Sequence, residues 1–216
     1  MRANRIREIW QAGDAVINGW LAIPSVISAE TMAHQGWDSL CVDTQHGIVD
    51  YQAAVGMFAA VSTTEVVPLT RVNWNEPGIV MKMLDAGAYG IICPMISTAE
   101  DAEKLVGACR YPPRGYRSFG PIRALLYAGA DYPKHANDTV IVFAMIETAE
   151  ALDNLDQILS VDGLDAVYVG PADLSLGLGC TPKLDQTEKP VVEAIDLIVR
   201  KCREHGVVAG LHNSTP

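Results

Sequence analysis

The 216 residues carry 16 Lys and Arg against 26 Asp and Glu, a formal net charge of −10, which argues against nucleic acid or an anionic membrane and leaves a small solute as the ligand. A hydrophobic content of 49% at this length is enough to bury the core of one large domain. The five cysteines form no C-x-x-C pair, and "MRANRIREIW" has no apolar signal core. No run approaches the roughly 20 apolar residues that span a bilayer, so the sequence reads as cytoplasmic, with no disulfide framework or zinc cage.

Taken in chain order, a short amphipathic helix is predicted at Asn4–Ala12, then a strand at Val16–Ile23 and a helix at Ser28–Gln35. Strands follow at Ser39–Thr44, Val66–Val72, Gly90–Ile96, Thr139–Glu147, Ala166–Val169 and Val207–Leu211. Helices are predicted at Tyr51–Val61, Glu76–Ala86, Ala99–Cys109, Ala149–Leu159 and Pro190–Glu204. Ser28, Ser97-Thr98 and Thr148 stand where helix caps belong, and Gly36, Gly87 and Gly206 where helices close. Two connections are long: Tyr111–Asp138, which reads as a lid or binding loop, and Ser175–Lys189.

Apolar strands joined through helices imply a parallel sheet covered on its outer side. No G-x-G-x-x-G turn follows the first strand, and polar residues follow several different strands, so a (β/α)8 TIM barrel is favoured over a doubly wound sheet. The expectation is one barrel domain over 1–216 whose eighth βα unit is either missing from this chain, through C-terminal truncation, or never existed, truncation being the favoured reading.

A barrel builds its site at the C-terminal ends of its strands. There the sequence places Asp43, Gln45 and His46, then Arg71 and Asn73, Glu147, Asp173, and His212 with Asn213. Glu147 and Asp173 form an all-oxygen pair suited to Mg²⁺ or Mn²⁺, with Co²⁺ a further candidate. The plain alternative is that each acid caps the helix after it. Arg71 can stabilise developing enolate or carboxylate charge, or else pair with Glu147 or Asp43 to fix the rim. An imidazole titrates near neutrality, so His46 is the candidate base, with Asp43 or Asp85 as its partner. In "VGPADLS", Gly170 admits a ligand close to the backbone, and the amides at Ala172 and Asp173 can bind a carboxylate. None of Lys82, Lys104, Lys134, Lys183, Lys189 and Lys201 ends a strand, which disfavours imine chemistry.

With these residues in place, the chain resembles the HpcH/HpaI aldolase family of metal-dependent, pyruvate-forming class II aldolases. The likeness runs through "AETMAHQGWDSLCVDTQHG", "PLTRVNW", "MKMLDAGAYGIICPMI", "RYPPRGYRS", "AMIETAEALDNLDQIL" and "VYVGPADLSLGLG". It implies a (β/α)8 barrel assembled as a hexamer, with the last helix exchanged between subunits. His46 is then similar to the family's catalytic histidine, acting through a metal-bound water with Asp43 or Asp85 as partner. Arg71 resembles the enolate-stabilising arginine, Glu147 and Asp173 the metal ligands, the "GPAD" amides those that hold the 2-oxo acid carboxylate, and Trp20 a residue near the substrate. The implied reaction cleaves a 4-hydroxy-2-oxo acid to pyruvate, or a related 2-oxo acid, and an aldehyde. One departure stands out: where the family usually has Asp-x-Glu-His, this chain has Asp43-Thr44-Gln45-His46. Two rivals remain at this stage, a citrate-lyase-β-like acyl-CoA lyase, which would need a basic groove from Arg110, Arg114, Arg117 and Arg123, and a non-catalytic 2-oxo acid binding protein.

Overall fold

The structure, a computed structural model, describes residues 1–215. In chain order its elements are α1 Arg5–Gln11, β1 Asn18–Leu21, α2 Val26–Ala33, β2 Ser39–Asp43, α3 Tyr51–Val61 and β3 Val67–Arg71. There follow α4 Pro77–Asp85, β4 Gly90–Cys93, α5 Ala99–Cys109, α6 Ile122–Ala128, α7 Tyr132–Thr139 and β5 Ile141–Ile146. The last are α8 Ala149–Asp153, α9 Leu155–Leu159, β6 Ala166–Val169, α10 Pro171–Gly177, α11 Lys189–His205 and β7 Val208–Leu211. The class is α/β, with strands and helices alternating along most of the chain. Two compact units divide it: Met1–Ile91 with Gly107–Ile141, and Ile92–Val106 with the residues from Val142 onward.

In the first unit β1, β2 and β3 pair in parallel and in chain order, with Trp20 beside Cys41 and Asp43 beside Arg71. Every residue of β2 (SLCVD) and β3 (VPLTR) is buried, so both faces are covered and the polar-apolar alternation of a half-exposed strand is missing. Side-chain oxygens close the exposed ends of the flanking helices: Ser25 accepts from the Ser28 N–H, Asp50 from Ala53, and Glu76 from Gly78 and Ile79. The cap predicted at Ser28 therefore belongs to Ser25, because α2 begins at Val26 and Ser28 supplies the donor.

The segment predicted as a lid, Tyr111–Asp138, holds two helices instead. Ala124, Tyr127 and Ala128 of α6 and Tyr132, Ala136 and Thr139 of α7 are buried. Each helix has only seven or eight residues and is bounded by Pro121, Gly129 or Pro133, too short a run for helical periodicity to register. Tyr127 meets Tyr89 edge-on at 4.7 Å, and Arg110 and Arg117 are among the most deeply buried side chains of the unit. The segment is thus packed core and not a loose flap.

In the second unit β5, β6 and β7 also pair in parallel and in chain order, with Ile146 beside Val169. β5 and β6 are buried throughout, whereas β7 is partly exposed. Thr98 and Asp101 exchange side-chain-to-amide hydrogen bonds at 3.1 Å each, a capping box at the start of α5, and Thr148 caps α8. The predicted helix Ala149–Leu159 breaks at Asn154, which leaves helical geometry and donates its side-chain amide to the Ser97 carbonyl at 2.9 Å. In α11 the buried residues Val191, Ala194, Ile198 and Cys202 form one stripe, and the helix ends at Gly206.

Candidate active site

The β2–β3 register sets Asp43 and Arg71 side by side at the last paired position of both strands. Their side chains meet in a two-pronged ion pair: Arg71 Nε donates to Asp43 Oδ1 at 2.9 Å and Nη2 to Oδ2 at 2.6 Å. Only 8% and 7% of the two side chains is exposed. Burial pushes the Asp43 carboxyl up, but the Arg71 hydrogen bonds and charge outweigh it and hold the carboxyl below its ordinary value. Asp43 Oδ1 also accepts from the backbone N–H groups of Gln45 (3.1 Å) and His46 (3.3 Å), so one carboxylate shapes the turn that follows the strand.

That turn brings the His46 ring to the surface. Gly47 closes it. A Cβ there would lie 2.2 Å from the Asp43 carbonyl oxygen and 3.1 Å from the Cα of Ala22, so no side chain fits. Thr44 fastens the turn to β3 through its N–H (3.0 Å) and hydroxyl (2.7 Å), both donated to the Arg71 carbonyl. Above the guanidinium lies Trp20, its ring centroid 4.7 Å from Arg71 Cζ, a cation–π contact that covers the flat face of the cation. Cys41, two residues before Asp43, is fully buried, and burial together with the Asp43 charge pushes its thiol far up, as expected of an inert core cysteine.

Asp85 meets a cation and not an imidazole. At the end of α4 it accepts from Arg117 Nη2 at 2.8 Å; Arg117 also donates to the Tyr132 hydroxyl at 2.9 Å and lies 4.5 Å from the Tyr111 ring centroid. Burial raises the Asp85 carboxyl above its ordinary value, with Arg117 opposing part of the shift. Of the two partners the sequence offers His46, then, Asp43 engages it through the backbone N–H, and Asp85 is held by Arg117. Sequence reasoning missed Arg117 as that partner because the pairing spans 32 residues and no local pattern announces it.

In the second unit Glu147 directly follows β5 and is 3% exposed. Its Oε1 accepts the Met95 N–H at 2.8 Å. Extending the β5–β6 register by one residue sets Glu147 beside Gly170, and a Cβ at Gly170 would come within 2.1 Å of Glu147 Oε2. Only a glycine leaves the carboxylate where it is. Gly170 then caps α10, whose first turn contains Ala172 and the exposed Asp173; N–H groups of a first helical turn have no partner within the helix. His212, predicted as a rim residue, sits after β7 with its ring 6.1 Å from that of Tyr168.

The carboxylate oxygens of Glu147 and Asp173 are the hard donors that Mg²⁺ and Mn²⁺ take, so the chemistry of this donor pair suits such an ion. Among the described residues no group of three or more His, Cys, Asp or Glu side chains is placed to hold a metal ion, so the two carboxylates would leave the remaining positions to substrate and water. Every lysine is exposed or half-exposed, so none is the buried amine that imine chemistry requires.

A sequence model of the HpcH/HpaI aldolase/citrate lyase family matches residues 18–214, nearly the whole chain. The protein belongs to the HpcH/HpaI aldolase/citrate lyase family. Its membership makes it a carbon–carbon lyase by class, since its similar relatives are named as aldolases. The chain is 43% identical to a hydroxypyruvate/pyruvate aldolase of Rhizorhabdus wittichii, over 96% of this chain and 83% of that one. It is 37% identical to a 4-hydroxy-2-oxo-heptane-1,7-dioate aldolase of Klebsiella pneumoniae, over 95% and 79%. Among solved structures, an HpcH/HpaI family protein from Burkholderia cenocepacia superposes with a TM-score of 0.88 at 31% identity, covering 96% of this chain and 83% of the other. No helix among the described residues is long and apolar enough to cross a membrane.

Proposed function

We propose that this family member is a divalent-metal-dependent class II aldolase that reversibly cleaves 4-hydroxy-2-oxo acids to an aldehyde and pyruvate or a related 2-oxo acid such as hydroxypyruvate. The observation that carries the reading is the buried Arg71 guanidinium, fixed by Asp43 at the end of β3, in the same strand-end cluster as the surface histidine His46. We take the whole chain to form a single (β/α) barrel domain that assembles with further copies of itself. Light scattering tests that assembly.

Glu147 and Asp173 would hold the ion, Mg²⁺ or Mn²⁺, which when bound polarises the 2-oxo group of the substrate. The first-turn amides at Ala172 and Asp173 receive the substrate carboxylate. His46, as general base, takes the proton of the C4 hydroxyl. The C3–C4 bond then breaks, its electron pair passing to the 2-oxo group as an enolate while C4 leaves as the aldehyde. Arg71, always protonated and already oriented, stabilises the negative charge as it develops. Protonation at C3 completes pyruvate. Trp20 stacks over the guanidinium and borders the substrate.

The acyl-CoA alternative loses its groove: Arg110 and Arg117 are buried, Arg114 pairs with Asp138, and Arg123 donates to the Ala86 carbonyl and the Ser62 hydroxyl. The decisive experiment is proton exchange on pyruvate in D₂O with Mg²⁺ or Mn²⁺, followed by NMR of the methyl signal. Exchange well above a metal-only blank, abolished by EDTA, is the expected result. Absence of exchange sinks the enolate chemistry and the binding-only rival gains; exchange that survives EDTA sinks the metal.

A further inference from the structure

Among the described residues, Met95 alone of the non-glycine residues has a positive φ, 57°. Such a backbone costs a side-chain-bearing residue about 1–2 kcal/mol, and strain of this kind persists only where the surroundings enforce it. The Met95 side chain is 37% exposed and lies outside the buried core. What the conformation does achieve is to aim the Met95 N–H at Glu147 Oε1, 2.8 Å away, while the bare Cα of Gly170 borders the other oxygen. We infer that Met95 is a positioning residue: its left-handed backbone presents an amide that fixes the rotation of the Glu147 carboxylate for metal binding. The inference rests on the reading of Glu147 as a metal ligand. It assigns a role to a backbone group, so a side chain that tolerates this φ serves at position 95 as long as the N–H and its direction are kept. Carboxylates that ligate metals depend on such outer partners, whose loss costs about 10–100-fold in affinity.

The test replaces the Pro94–Met95 peptide bond by an ester, using the α-hydroxy analogue of methionine, and measures Mn²⁺ affinity by calorimetry on the full chain. About a 10-fold rise in Kd is expected in the ester protein, with Met95→Ala, which keeps the N–H, within about twofold of the parent. A purely structural role would lower the melting temperature and leave the Kd of the folded protein within twofold, and that outcome overturns the inference. Should the ester protein not fold, the ¹⁵N-methionine spectrum decides: the Met95 amide resonance is expected to move on Mg²⁺ addition and to lose its response in Glu147→Gln, and an unmoved resonance overturns the inference. Glu147→Gln also separates the two ideas. If it binds Mn²⁺ as tightly as the parent, the metal-ligand reading itself falls; if it binds poorly while the ester protein binds normally, the positioning role alone falls.

Discussion

Replacing Asp43 by alanine removes one carboxylate and takes its acceptor oxygens from four donors at once: Arg71 Nε and Nη2, and the N–H groups of Gln45 and His46. Because both partners are almost wholly buried, the guanidinium left behind has little water to turn to. Removing one partner of a buried ion pair costs about 3–5 kcal/mol. For a chain of this size each kcal/mol moves the melting temperature by about 2–4 °C, so Asp43→Ala should melt about 6–20 °C lower. Urea denaturation followed by tryptophan fluorescence and circular dichroism reads the cost directly. Asp43→Leu with Arg71→Met, which replaces both charges by apolar groups, should recover most of it, since a matched apolar pair removes the orphaned charge. Adding 1 M salt should change the cost little, because screening acts weakly on buried charges. A loss below about 1 kcal/mol in Asp43→Ala, the range of an exposed pair, or a double variant no more stable than the single one, would refute the picture of a desolvated, interdependent pair.

Asp43 also sets an acid limit. Its folded-state pKa lies below the unfolded value of about 3.9, so its stabilisation is fully present above that value and is lost as pH falls through the folded value. In Arg71→Met only the amides of Gln45 and His46 still oppose burial, so the folded pKa should rise and the stability gained between acid and neutral pH should shrink; acid and neutral melting curves of the two proteins check the change. Gly170→Ala should weaken Mn²⁺ binding at least about 10-fold in calorimetry, since the new Cβ would displace Glu147 Oε2; an unchanged Kd would show that the carboxylate can relocate without loss. His46→Ala should lose about 10²–10⁴ in kcat for cleavage and leave Mn²⁺ affinity within about twofold, and lost metal binding would mean that the histidine is a ligand and not the base.

Most of the architecture was legible because the strands are short apolar runs between capped helices: α3, α5 and β6 match their predicted bounds residue for residue. The strand-end acids and Arg71 were found by asking where polar residues interrupt such runs. Harder to read was anything set by register or by distant pairing. That Asp43, one of the two acids the sequence offers Arg71, would hold it depends on the β2–β3 alignment, and that Asp85 would be taken by Arg117 depends on how the segment after α5 folds back. Two helices were lost because proline and glycine punctuation resembles loop chemistry. Met95 carried no signal at all, since its part is played by a backbone N–H that every residue except proline shares.

The turn after β2 has a consequence for how the site can diversify. Gln45 reaches Asp43 through its main chain, so the scaffold that anchors Arg71 and carries His46 does not read the side chain at position 45. Glutamate there would add a negative charge close to the histidine while leaving the ion pair and the turn intact. On the proposed mechanism, position 45 is therefore a dial on the electrostatics around the base that turns independently of folding: substitutions there tune the pH range of turnover without placing the fold at risk.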